Sequence, residues 1–220
     1  MTEQEWLACE EPGRMLQFLR SSYTQLSQRK LRLFAVTCCR SIVRTDDEEA
    51  VHHAIEAVER FAEGLSLHDE HITGIHETGR LWGIDFGTDQ VYGAVYHAAH
   101  DLERDAFTLA NDIAMISGEA ANLRAGRGTR AAEWAAHCRW LRDIFHAPFR
   151  PVFSKHSWRT SNVTALAQAI YDDRAFDRLP ILADALEEAG CTDAEILAHC
   201  RGPGPHVRGC WVVDLILNKE

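Results

Sequence analysis

The sequence predicts an all-α protein, a helical bundle followed by a compact C-terminal helical subdomain, and three observations carry that expectation. Apolar residues recur at three- and four-residue spacing through most of the chain, the pattern of a buried helix face. Capping residues stand ahead of these stretches, and glycine or proline closes them. No segment alternates apolar and polar residues cleanly enough to demand a strand, so about eight to ten helices are expected.

Taken in order, Thr2 and Glu5 form a capping box, in which hydroxyl and carboxylate each satisfy an orphan backbone N–H. Pro12-Gly13 breaks this first short helix. Ser27 can cap a second, with Leu31, Phe34, Ala35, Cys38 and Ile42 on one stripe. Asp46, Asp47, Glu48 and Glu49 set negative charge at the positive end of a third helix dipole, and that helix stops at Gly64. From about residue 65 to 138 the pattern loosens. Gly74, Gly79, Gly83, Gly87 and Gly93 puncture it, each costing a helix interior ~1 kcal/mol relative to Ala. Tyr96 to Ile116 and Thr129 to Phe145 read as two helices joined by a turn at Gly126-Arg127-Gly128. Pro148 and Pro151 then mark an extended linker. Ser161 caps a helix through Tyr171, and Pro180 opens another that stops at Gly190. Thr192 and Glu195 form a second capping box, before a short helix reaching Cys200. The apolar run Val207 to Leu217 is assigned to helix, because it follows a stiff turn and ends in Asn-Lys-Glu. The organisation expected is a bundle over 1–146, with 65–95 as a variable, insertion-like region, and a subdomain over 152–220 packed on it.

A net charge of -10, with 46% hydrophobic and 25% charged residues, fits a globular protein and argues against a face that tracks nucleic-acid phosphates. The densest basic stretch, Arg29-Lys30-Leu31-Arg32 with Arg40 and Arg44, reads as a solvated helix face paired with nearby acids. No signal-peptide pattern and no apolar run of ~18 residues is present, so the expectation is a cytoplasmic protein with no membrane contact. The seven cysteines are then buried thiols or metal ligands rather than a disulfide framework.

Several segments carry a likeness. Trp6-Leu7-Ala8-Cys9, Arg29 to Ala35 with Cys38-Cys39-Arg40, Leu141 to Phe145 with Pro148 to Val152, and the run from Ile170 to Glu220 resemble a large paralogous family of uncharacterised bacterial proteins. The stretch Arg178 to Gly190 is also faintly similar to the helical repeat-companion domain. The resemblance covers roughly 3–62 and 140–220, implies no activity, and leaves residues 65–95 as the part peculiar to this chain.

Chemically, the last thirty residues are the most purposeful. Cys191, His199, Cys200, His206 and Cys210 surround the turn Arg201-Gly202-Pro203-Gly204-Pro205. Zinc takes four ligands, mostly thiolate and imidazole. Cys200, His206 and Cys210 supply three, with Cys191 or His199 as the fourth; neighbours on a helix diverge by ~100°, so only one of His199 and Cys200 can join. The competing reading, ranked first, makes the three cysteines small core residues and has His206 bond a backbone carbonyl of the turn. A second candidate is a metal-dependent hydrolytic site among His52, His53, His68, His71, His76, His97 and His100, with Asp69, Glu70, Glu77 and Asp101 nearby. It lacks the Glu-x-x-His pattern of di-iron bundles, and scattered surface histidines are the plainer account. Cys38-Cys39 would need an exposed, acidified thiol, and Arg40 alone gives that little support. Trp6, Trp82, Trp134, Trp140, Trp158 and Trp211 read as core anchors. No catalytic residue and no cofactor-binding motif is identified. The expected function is therefore a non-catalytic interaction or adaptor module offering a helical surface to a protein partner; the alternative is a metalloprotein, with structural zinc at the C-terminal cluster or a hydrolytic metal among the histidines.

Overall fold

The computed structural model describes residues 1–23, 25–84, 90–100, 105–125, 129–146, 149 and 155–219. Among them are twelve α-helices, two short 3-10 helices and no strand. The protein is all-α. It divides into two compact units, Met1–Leu141 and Arg142–Glu220.

The first unit opens with α1 (Glu3–Ala8), where the Thr2 N–H donates to Glu5 Oε2 at 2.7 Å and the Glu5 N–H to Thr2 Oγ1 at 3.2 Å. Pro12 does not end this helix. It opens α2 (Pro12–Ser22), where a residue without an N–H leaves nothing unsatisfied. α3 (Gln28–Ile42) is capped by Ser27, whose hydroxyl accepts from the Lys30 N–H. More than the expected stripe is buried on α3, Cys39 included, because it packs against α4 (Glu49–Ala62), α6 (Gln90–His100) and α7 (Ala106–Ala125). Leu16, Leu31, Phe34, Ile55, Leu109 and Ile113 are fully buried in this unit.

Two expectations for the middle region give way. Gly74, Gly79 and Gly83 do not puncture a helix; they lie inside α5 (Asp69–Ile84). Two of them are points of close approach. A Cβ at Gly74 would stand 2.6 Å from His53 Cβ and 2.9 Å from the Ala50 carbonyl, and one at Gly79 would stand 2.5 Å from the Tyr96 ring. Glycine there admits α4 and α6 rather than breaking α5. The single helix expected from Tyr96 to Ile116 is two, because Asp105 caps a fresh start by accepting from the Thr108 N–H at 3.0 Å. Gly87, Asp101, Gly126-Arg127-Gly128, Pro148 and Pro151 lie outside the described residues.

α8 (Thr129–Ile144) closes the first unit, and its last three residues belong to the second. That unit continues through α9 (Ser161–Asp173), α10 (Leu179–Glu188), α11 (Ala194–Arg201) and α12 (Trp211–Leu217), with 3-10 turns at His156–Trp158 and Phe176–Arg178. The caps fall one residue from those expected. Thr160 caps α9 in place of Ser161, and Asp193, accepting from Glu195 and Ile196 N–H groups, caps α11 in place of Thr192. Val163, Ile170, Leu182, Leu186, Ile196, Val213 and Ile216 fill the core between these helices. Each such side chain contributes about 1.5–3 kcal/mol through burial.

Candidate metal centre

Asp143 lies in the last turn of α8, where the helix dipole disfavours an anion, and it is nevertheless buried. Three partners reach it from elsewhere in the second unit. His199 comes from the last turn of α11, and Cys210 sits at the N-terminal cap of α12. The loop between them brings in His206. It is fastened by Arg208, whose guanidinium donates to the Tyr171 and Asp172 carbonyls at 3.0 and 3.4 Å where α9 ends. Gly209 takes φ +95° immediately before Cys210, a conformation that favours glycine. Ligand atoms of Asp143, His199, His206 and Cys210 all lie within 4.8 Å of one another, and the group could hold a metal ion.

The carboxylate is the hub. Asp143 Oδ1 is 2.6 Å from His206 Nδ1 and 3.1 Å from His199 Nε2, and the Val207 N–H donates to Oδ2 at 2.8 Å. Burial, the largest single influence, pushes this carboxyl up, but the hydrogen bonds and charge of His199 and His206 together hold it below the usual range. His199 Nε2 also lies 3.2 Å from Cys210 Sγ. Burial first, and Asp143 next, raise the Cys210 thiol well above its ordinary value.

Hydrogen-bond chemistry then locates the protons. His206 Nδ1 must carry one to donate to the carboxylate, and its Nε2 is buried with no hydrogen-bond partner. The Trp211 indole N–H donates to His199 Nδ1 at 3.0 Å. An indole nitrogen only donates, so the His199 proton rests on Nε2, facing Asp143 and Cys210. Asp143 is a buried carboxylate held by imidazole and backbone N–H donors, a setting in which an added cation is stabilised. The same geometry is no nucleophile relay. Acid and thiol meet one imidazole nitrogen, Trp211 takes the other, and the thiol is fully buried.

Of the five residues singled out from the sequence, His199, His206 and Cys210 come together. Cys191 and Cys200 are core residues outside the group, their thiols raised by burial, Cys200 to about 12. The ~100° between helix neighbours points His199 at Asp143 and Cys200 into the core. His206 bonds a carboxylate rather than the backbone carbonyl expected of it. Asp143 escaped the spacing argument altogether. Its one sequence signal is an acid at the wrong end of a helix dipole, flanked by Leu141, Ile144 and Phe145.

In the first unit, His71 Nδ1 accepts from the His68 N–H at 3.0 Å, and the His71 ring packs 5.4 and 6.4 Å from those of His68 and His53. His97 and His100 pack on Trp82 and Tyr96. None of these joins a metal-type group among the described residues. Cys38 and Cys39 are both buried, and Cys39 is pushed up to about 12 by burial despite Arg40. Arg29, Arg40 and Arg44 pair with Glu63, Glu59 and Asp46 at 3.0, 2.9 and 3.1 Å. Trp6, Trp158 and Trp211 are buried anchors, while Trp82, Trp134 and Trp140 are half-buried. No helix among the described residues is long and apolar enough to cross a membrane. No family model, curated protein or solved structure matches this chain.

Proposed function

We propose that this chain is a non-catalytic helical interaction module whose second unit is fastened by a structural zinc ion on Asp143, His199, His206 and Cys210. The observation that carries the reading is the convergence of four ligand-type side chains from α8, α11, the following loop and the cap of α12. One cysteine and two histidines favour zinc over magnesium or calcium, which prefer all-oxygen sets. Four protein ligands close the coordination shell, the arrangement of structural rather than catalytic zinc. Ligand atoms around a tetrahedral zinc, with bonds of about 2.0–2.3 Å, stand roughly 3.3–3.7 Å apart. The hydrogen-bonded contacts at 2.6, 3.1 and 3.2 Å need open only slightly to admit the ion. Zinc would tie the end of α8 to the α11–α12 loop, so metal free energy becomes folding free energy of this unit.

Burial of all seven thiols supports a module that acts through its surface rather than through a reactive group. Its partner would be a protein, and affinity capture that recovers no specific protein would count against that part of the reading. The metal part is tested by mass-spectrometric metal content of untagged protein purified without chelator. One equivalent of zinc is expected in the native chain and in Cys200→Ser, with loss in Cys210→Ser. Absence of stoichiometric metal, or equal loss in both variants, would remove it.

A further inference from the structure

Trp211 meets His199 on the side away from Asp143. In histidines that ligate metals the second ring nitrogen carries a proton and donates it outward, to a carboxylate, a carbonyl or water. Here the polarity is reversed. The Trp211 Nε1–H points at His199 Nδ1 from 3.0 Å, which fixes the imidazole proton on Nε2, the nitrogen that faces Asp143 Oδ1 and Cys210 Sγ. The indole is itself braced. His146 packs edge-to-face on Trp211 with ring centroids 4.6 Å apart, and His146 Nε2 is held by Glu195 Oε1 at 2.8 Å.

We infer that Trp211 is a positioning residue that sets how tightly the second unit holds its metal, by keeping His199 in the tautomer that cannot ligate until the indole turns away. The inference rests on the zinc reading above. For Nε2 to bond the ion, its N–H bond must break and an N–H bond must form at Nδ1; the imidazole stays neutral, and the Cys210 thiol proton leaves to solvent. A proton on Nδ1 then opposes the Trp211 N–H, so that hydrogen bond is lost, and the indole shifts against His146. Metal occupancy and the setting of Trp211 at the start of α12 are thereby coupled.

The experiment is a zinc titration against a chromophoric chelator, on the full chain and on Trp211→Phe, which keeps an aromatic ring and removes the indole N–H with part of the ring volume. Loss of one competing hydrogen bond predicts zinc binding about 5- to 10-fold tighter in the variant. Trp158→Phe is the control. Its indole donates to the Gly190 carbonyl at 3.2 Å, so general loosening of the core would move both variants, whereas the inference leaves this one at native affinity. Equal affinity in Trp211→Phe and the native chain, or equal tightening in both variants, overturns the inference while leaving zinc binding intact. Zinc binding to none of them overturns the metal reading and this inference with it. Should Trp211→Phe fail to fold, nitrogen-15 spectra of the native histidine rings decide: zinc is expected to move the His199 proton from Nε2 to Nδ1, and an unmoved tautomer contradicts the inference.

Discussion

In the first unit Glu133 meets His137 one turn away on α8, at 3.2 Å, and the Ser41 and Ser117 hydroxyls complete a part-buried cluster beside Cys38. In the second, Asp143 meets two imidazoles and a thiol brought from three separate stretches of chain. Both clusters set an acid against histidine near cysteine, Asp143 buried and Glu133 half-buried. They differ in how the acid is satisfied. Glu133 is met by Ser41 and by its own helix neighbour His137, whose Nδ1 is also buried without a partner, but no metal-type group forms there among the described residues. Asp143 is met by the two imidazoles and by the Val207 N–H, with Cys210 close by, so four ligand-type side chains converge. Residue type alone does not gather ligand atoms; convergence from separate stretches of chain does.

The comparison can be broken most forcefully at its two acids. Asp143→Ala is expected to destabilise the second unit by about 3–5 kcal/mol, since it strips a buried hydrogen-bonded anion from its partners, and to abolish zinc retention. Denaturant unfolding monitored by fluorescence, with metal content alongside, checks both. Glu133→Gln should cost only about 1–2 kcal/mol, because an amide oxygen can still accept from Ser41 or His137, and metal content should not change. If Glu133→Gln released zinc, the contrast between the clusters would collapse. Of similar size is Gly74→Ala, predicted to cost about 1–3 kcal/mol through overpacking against His53 and Ala50, outweighing the gain in helix propensity. Circular dichroism melts would show it, and a stabilised variant would refute the close-approach reading of these glycines.

Acid sharpens the comparison next. Asp143 and Glu133 both sit below the usual carboxylate range: burial is the largest influence on each and opposes this, but their hydrogen bonds prevail. A depressed folded value contributes stability that is fully present above the unfolded value, near pH 4, and is lost as pH falls through the folded one. Both units should therefore weaken only in acid when metal-free. With zinc bound, the second unit alone gains a further dependence, because falling pH returns protons to the ligands and weakens the ion. Hydrogen exchange on metal-free and zinc-loaded protein at two pH values distinguishes the units. The smallest effect belongs to Glu195→Gln. Its pair with His146 is partly solvated and should be worth below about 0.5 kcal/mol, too little to alter zinc content.

Much of this was legible along the chain. The Thr2–Glu5 box and the Ser27 cap are local chemistry, and the helical class follows from spacing that needs no tertiary knowledge. His199, His206 and Cys210 stood out because a stiff Gly-Pro turn gathers them within one short stretch. Asp143 did not, because it lies 63 residues from its His206 partner, and no spacing rule spans that distance. Cys191 and Cys200 were grouped with the ligands for the opposite reason: proximity in sequence cannot tell a sulfur that faces the group from one that faces the core. The glycines of α5 misled similarly. Their cost to an isolated helix is readable, whereas the helices they admit are not.

The central claim is a CysHis2Asp zinc site in the second unit, and its most direct test is X-ray absorption at the zinc edge on protein carrying one equivalent. The account predicts one sulfur at about 2.3 Å and three nitrogen or oxygen ligands at about 2.0–2.1 Å, with the sulfur lost in Cys210→Ser and kept in Cys200→Ser. A shell of oxygen and nitrogen only, or a sulfur that survives Cys210→Ser, would contradict it.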